Sequence, residues 1–321
     1  MTRPPLPPEP VFSTQQAYAL GWTRDTLAEA VRSGVCHRVL RGWFAAGPTP
    51  ALRELHRETV VATHLDQQGA WVTSGPSACL WHDLPVDDRD LHRVLVTRRA
   101  GADGQPPPAH GSTTSRVIVR SHVEPQDVLD DVPVLRPAAA VAEYALHAGM
   151  SVGVAAADAA LARGLVTEDD LGDALARRSG RRGIRAVTTL PRWTDPLAEN
   201  PGESKARYRL SRAGFRLVSQ VWCETPGGAY RLDWLVEGTA TGIELDGTTK
   251  YLTDDGSLRS DRIRRQRRRD RDCAAIGLTL VHLTFDDFRL DDAGLRALVE
   301  REAGDALHRP TPQLRGRRRA C

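Results

Sequence analysis

The chain has 321 residues, a formal net charge of +3 and 40% apolar residues, enough for two or three packed domains and too apolar for a wholly disordered chain. No stretch approaches the ~18 uninterrupted apolar residues of a membrane span, and the opening MTRPPLPPEP lacks the apolar core of a secretory signal. Five scattered cysteines (Cys36, Cys79, Cys223, Cys273, Cys321) without a CxxC pair argue against a zinc ribbon or disulfide framework and fit a reducing cytoplasm.

Residues 1–10 are proline-rich and read as a flexible leader. In the next segment Ser13 or Thr14 caps a short helix through Leu20, and Thr23 caps a second over Arg24 to Ser33, stopped by Gly34. Val35, Val39, Leu40, Trp43 and Phe44 predict strands around an Arg41-Gly42 turn. Helix, tight turn, helix, hairpin is the order of a winged helix-turn-helix, placed at residues 11–47, with Arg24, Arg32, Arg38 and Arg41 as its DNA-binding candidates. Residues 48–199 form an α/β and helical connector. Its helices are expected over 51–68 and 74–84, its strands over 91–97 and 115–122, and alanine-rich helices from Pro137 to about Arg192. No chemistry is visible in this region.

After the linker DPLAENPGE the pattern changes. A helix is predicted over 202–213 and strands over 217–223, 229–236 and 241–246. A long Arg-rich helix over about 257–275, a strand over 278–285 and a helix over about 291–304 complete the order α-β-β-β-α-β. The domain is set at residues 200–305, and 306–321 is read as a basic disordered tail. The fold class expected for the whole chain is α+β multidomain.

Alternation along RLDWLV puts Leu232, Trp234 and Val236 on one face and Arg231 and Asp233 on the other. In GIELDG, Ile243 and Leu245 share a face opposite Glu244 and Asp246. Pairing the two strands brings Asp233, Glu244 and Asp246 together, and clustered carboxylates repel unless a cation neutralises them. An all-oxygen set suits Mg²⁺ or Mn²⁺. Glu203 on the preceding helix can reach the same cleft, and Gln220 is a polar neighbour. Of the 44 basic residues only Lys205 and Lys250 are lysine. Lys250 follows Asp246 by four residues, where an ammonium can orient a water or offset charge on a phosphate. Charge is uneven too: residues 1–199 carry 21 basic and 23 acidic side chains, residues 200–321 carry 23 and 18. The positive excess lies with the acids' domain, chiefly in the helix bearing Arg262, Arg265 and Arg269, and points to a polyanionic partner.

Glu203, Asp233, the Glu244-Leu245-Asp246-Gly247 run and Lys250-Tyr251 resemble the restriction-endonuclease-like nucleases of the PD-(D/E)xK superfamily, in the branch related to very-short-patch-repair endonucleases. The resemblance implies metal ligation by Glu203, Asp233 and Glu244. It departs from the family pattern at Leu232, where proline is usual, and at Asp246, where the family lysine belongs; Lys250 is then the displaced substitute. The GVCHRVLRGWF segment resembles the winged helix of AbiEi-type antitoxins, which repress transcription and neutralise a nucleotidyltransferase toxin. Together these imply a metal-dependent DNA endonuclease or nickase, or alternatively a non-catalytic antitoxin-like regulator with a vestigial nuclease fold and a cognate toxin as partner.

Plainer readings stand beside each of these. Asp246-Gly247 can simply turn the chain with its acids solvated. Glu203 can be a first-turn acid favoured by the helix dipole. The Arg-rich helix can be a solvated face laced by Asp261, Asp270 and Asp272, and residues 11–46 can be a protein-binding module.

Overall fold

A computed structural model describes residues 4–68, 70–98, 117–120, 126–246 and 257–314, with residues 98, 117–120 and 257–263 described by their backbone alone. It is an α+β chain that divides into two compact units, Met1–Arg192 and Trp193–Cys321. Among the described residues no helix is long and apolar enough to cross a membrane.

The first unit opens with strand β1 (Val11–Ser13), helices α1 (Thr14–Ala19) and α2 (Arg24–Arg32), and strands β2 (Cys36–Leu40) and β3 (Trp43–Ala46). Ser13 and Thr23 each accept the N–H three residues on, and the side chains of Gln16 and Thr26 reach back to the cap N–H groups. Four of the orphan amide donors at the two helix starts are thereby satisfied. The antiparallel sheet runs β1-β3-β2, and Phe12, Ala17, Trp22, Leu27, Ala30, Cys36 and Phe44 pack beneath it. β1 was not foreseen: three residues are too few to display alternation, and its pairing with β3 is made from a distance.

Helix α3 (Leu52–Asp66), strand β4 (Trp71–Thr73), helix α4 (Gly75–Trp81) and strands β5 (Val94–Arg98), β6 (Val117–Arg120), β7 (Gln126–Leu129) and β8 (Val132–Leu135) come next. These strands form a five-stranded mixed sheet in the order β6-β5-β4-β8-β7. Helices α5 (Pro137–Ala148), α6 (Met150–Ala162) and α7 (Glu168–Ala176) complete the unit. β4, β7 and β8 were also unforeseen. The expected helical run to Arg192 stops at Ala176, beyond which the chain turns through short 3₁₀ segments at Ile184–Ala186 and Leu190–Trp193.

In the second unit, helix α8 (Pro201–Arg212) leads into strands β9 (Leu217–Thr225), β10 (Gly228–Val236) and β11 (Thr241–Asp246), helix α9 (Ser257–Ala275), strand β12 (Thr279–Thr284) and helix α10 (Asp292–Ala303). The sheet order is β12-β11-β10-β9. β11 and β12 are parallel, joined through α9, and the other pairs are antiparallel. One apolar cluster joins Trp234, Val236 and Ile243 to Leu210 of α8 and Leu295 and Val299 of α10. A second joins Leu232 and Leu235 to Cys223 and to Cys273 of α9.

Those two clusters correct the strand reading. Leu232 does not share a face with Trp234 and Val236. The β9–β10 ladder runs Leu232↔Val221 and then Trp234↔Ser219, skipping Asp233 and Gln220, and Gln220 has a positive φ of 55°. The register is the same on either side of the gap, so a pair is skipped opposite one left-handed residue rather than a residue inserted. Part of the expected tail is ordered as well. Thr311 Oγ1 donates to the Thr239 carbonyl at 2.7 Å, and Leu314 packs on the Cys223–Cys273 cluster.

Candidate functional site

Asn200 begins the site. It caps α8, its Oδ1 accepting the Glu203 N–H at 3.0 Å while its amide donates to Glu203 Oε1 at 2.5 Å. Glu203 Oε2 accepts the Glu199 N–H at 2.8 Å and faces the Gln220 amide at 3.4 Å. The first-turn role is therefore real, and it also fixes the carboxylate of this buried residue beside Gln220 of β9.

Asp233 lies where the β9–β10 ladder is interrupted. Pairing of β10 with β11 also stops, at Trp234↔Ile243, and the next free amide of β11, Leu245 N–H, donates to Asp233 Oδ2 at 2.8 Å. Glu244 follows Ile243 on β11 and meets Arg269 of α9, whose Nη2 donates to Glu244 Oε1 and to the Arg231 carbonyl, both at 2.5 Å.

Burial raises all three carboxyls. In Glu244 burial and the neighbouring Asp233 charge push the pKa up to about 8, against the pull of Arg269. In Asp233 burial raises it, opposed by the Leu245 N–H and Arg269. In Glu203 burial raises it, opposed by the Glu199 N–H and reinforced by Asp233. Asp233 thus repels an acid on either side, and the guanidiniums of Arg269 and Arg231 offset the group incompletely.

Asp246 stands at the margin. Its Oδ2 takes the Gln266 amide at 3.3 Å and lies 3.6 Å from His282 Nδ1. His282, opposite Glu244 on β12, places Nε2 2.8 Å from Asp270 Oδ1. Neither His282 nor Asp270 was singled out as a site residue from sequence. A signal did exist: Gln266, Arg269, Asp270 and Cys273 recur at i, i+3, i+4 and i+7, the inward stripe of α9. The run of arginines around it masks that period.

Arg265 is exposed on α9 whereas Arg269 turns into the site, so the expected basic stripe divides between solvent and acids. Lys250 and the Arg262 side chain lie outside the described residues. In the first unit Arg24, Arg32, Arg38 and Arg41 are all exposed. Arg32 pairs with Glu29 at 2.7 Å, and Arg38 lies over the Phe44 ring at 5.5 Å.

The sequence matches no protein-family model and no curated protein. Among solved structures the chain is similar to the RV2827C protein from Mycobacterium tuberculosis, at 16% identity and a TM-score of 0.36, over 62% of this chain and 74% of that one.

Among the described residues no three Asp, Glu, His or Cys side chains stand together in metal-ligating geometry. The donor chemistry nonetheless fits a hard divalent cation. Asp233 lies within electrostatic range of both Glu203 and Glu244, and the buried Gln220 Oε1 beside Glu203 has no hydrogen-bond partner among the described residues.

Proposed function

We propose that the chain is a divalent-metal-dependent DNA endonuclease or nickase, acting in the cytoplasm, with a winged-helix DNA-binding module at residues 11–47 and a PD-(D/E)xK-like nuclease domain from residue 200. The observation carrying this reading is that Asp233, at the point where it parts β10 from β11, lies within electrostatic range of both Glu203 and Glu244. The resemblance noted in the sequence supports it, as does the β12-β11-β10-β9 order with α9 between the two parallel strands.

Glu203, Asp233 and Glu244 would hold Mg²⁺ or Mn²⁺. Such an ion, when bound, supplies Lewis acidity toward a phosphate oxygen and acidifies a coordinated water. This chain's own residues do the rest. Asn200 and the Leu245 amide hold two of the carboxylates in place, and Arg269 limits the repulsion among them. Lys250 would position the attacking water or offset charge developing on the phosphate. Exposed arginines of α9 and of residues 11–47 would grip the DNA backbone without reading sequence.

The test is nicking of supercoiled plasmid with Mg²⁺ or Mn²⁺, comparing wild type with Asp233→Ala and Glu244→Ala. Wild-type cutting that both variants lose supports the proposal. Absence of wild-type cutting on every DNA form refutes it, and cutting confined to RNA in the same assay would move the substrate class.

One observation favours a second reading. The Arg269–Glu244 pair at 2.5 Å supplies a protein cation where a metal would sit, as expected of a non-catalytic, antitoxin-like DNA-binding regulator with a toxin partner. Its expected result is DNA binding without cleavage at any metal concentration.

A further inference from the structure

Between Asp173 and Asp195 the chain contains no acidic residue and six arginines: Arg177, Arg178, Arg181, Arg182, Arg185 and Arg192. An acid from elsewhere in the unit holds this segment. Glu143 of α5, 1% exposed, accepts Arg178 Nε at 2.6 Å and is clasped by Arg181 through both terminal nitrogens. Arg178, with no exposure at all, also donates to the Ala174 and Ala139 carbonyls. Two guanidiniums share the Glu143 carboxylate.

The backbone presents the remaining charge in an ordered way. Ile184, Val187 and Leu190 are buried in the main core of the unit. The amides of Ile184, Val187 and Leu190 each donate to the carbonyl three residues back, which gives the three-residue period of a 3₁₀ path. With every third residue facing inward, Arg182, Arg185 and Thr188 recur on an outer face, and all three are exposed. Arg185 and Thr188 border a surface cavity of about 740 Å³, lined also by Ser179, Arg181, Leu175 and Ile184, with Gly180 and Gly183 at its turns. Both glycines have positive φ, 81° and 88°, so the chain can turn tightly without a side chain covering the cavity.

We infer that residues 177–192 form a second DNA-backbone contact surface of the first unit, with Arg182 and Arg185 as its phosphate ligands. Guanidiniums, Ser and Thr hydroxyls and glycine-exposed backbone are phosphate-contacting chemistry. No large apolar side chain of this segment is among the exposed ones, whereas a protein-docking surface would need an apolar centre. The inference rests on the reading of DNA as partner and extends it to a region that carried no visible chemistry in the sequence.

The experiment is fluorescence anisotropy of the full chain on a labelled random-sequence duplex, in EDTA, titrated with salt. Arg182→Gln/Arg185→Gln is compared with wild type and with Arg89→Gln, an exposed arginine outside the segment. Each phosphate contact contributes roughly 0.9 to the slope of log affinity against log salt, so the double variant should lose about 1.8 of slope and about tenfold in affinity. Arg89→Gln should match wild type. Wild-type slope and affinity in the double variant would overturn the inference while leaving the DNA reading intact. An equal loss in Arg89→Gln would reduce it to net charge, which also overturns it. Failure of wild type to bind DNA would refute both. A defect on polyglutamate but not on DNA would make the segment a protein contact instead.

Discussion

Asp233 on β10 accepts the backbone N–H of Leu245 on β11 at 2.8 Å, a donor that the strand ladder abandons two residues after Ile243. The carboxylate therefore substitutes for a strand carbonyl while its charge stays among other acids. Structural and chemical roles can be separated by substitution. Asp233→Asn retains an acceptor and should unfold within about 1 kcal/mol of wild type, whereas Asp233→Ala leaves the amide unpaired and should cost about 1–3 kcal/mol. Both should lose metal-dependent nicking. Urea denaturation with the plasmid assay checks this, and wild-type nicking by Asp233→Asn would remove Asp233 from the metal site.

Glu244 gives stability a definite pH dependence. Its folded pKa of about 8 lies above the ordinary 4.5, so between these values the folded chain holds the extra proton. Stability is fully present below the lower value and is lost as pH rises through the upper one. Burial shifts Glu203 and Asp233 in the same direction. Denaturation midpoints of the second unit should fall from pH 5 to pH 9 (about the span of the shift), and Glu244→Gln should flatten the fall. A midpoint that climbs across that window would contradict the buried-carboxylate account.

Lys250 is tested by a change that keeps charge. Lys250→Arg should bind DNA as wild type does but lower the nicking rate by about 10²-fold or more if the amine takes the attacking water's proton, because a guanidinium stays protonated and cannot accept it. Single-turnover cleavage rates decide the matter, and full activity in the variant would make the lysine an ordinary surface charge.

Glu143 anchors the first unit. Removing it as Glu143→Ala leaves Arg178 buried without its carboxylate, and loss of one partner of a buried pair costs about 3–5 kcal/mol. The first denaturation transition should shift accordingly while the second, belonging to residues 193–321, stays in place. Unchanged stability would mean that Arg178 finds another partner.

Much of the fold could be read from the chain because its signals are local. Ser13 and Thr23 cap helices with side chains that reach only three residues ahead. The runs at 217–223, 229–236 and 241–246 became β9, β10 and β11, and the polar 257–275 run became α9. Strands β1 and β4 are three residues long and pair across long sequence separations, and β7 and β8, though a local hairpin, are four residues each, so no local period announces them.

The candidate site divides along the same line. Local spacing along the chain already put Asp233 and Glu244 within reach of each other, with Glu203 one helix away, because strand period and turn length constrain neighbours. Tertiary structure alone decided the break at Asp233 and Gln220, which sends Leu232 to the α9 side and Trp234 to the α8 side. It also decided which arginine of α9 enters the acids, and that His282 joins Asp246 and Asp270. Those outcomes depend on what packs against each face, a relation between elements distant in the chain that no periodicity within one element encodes.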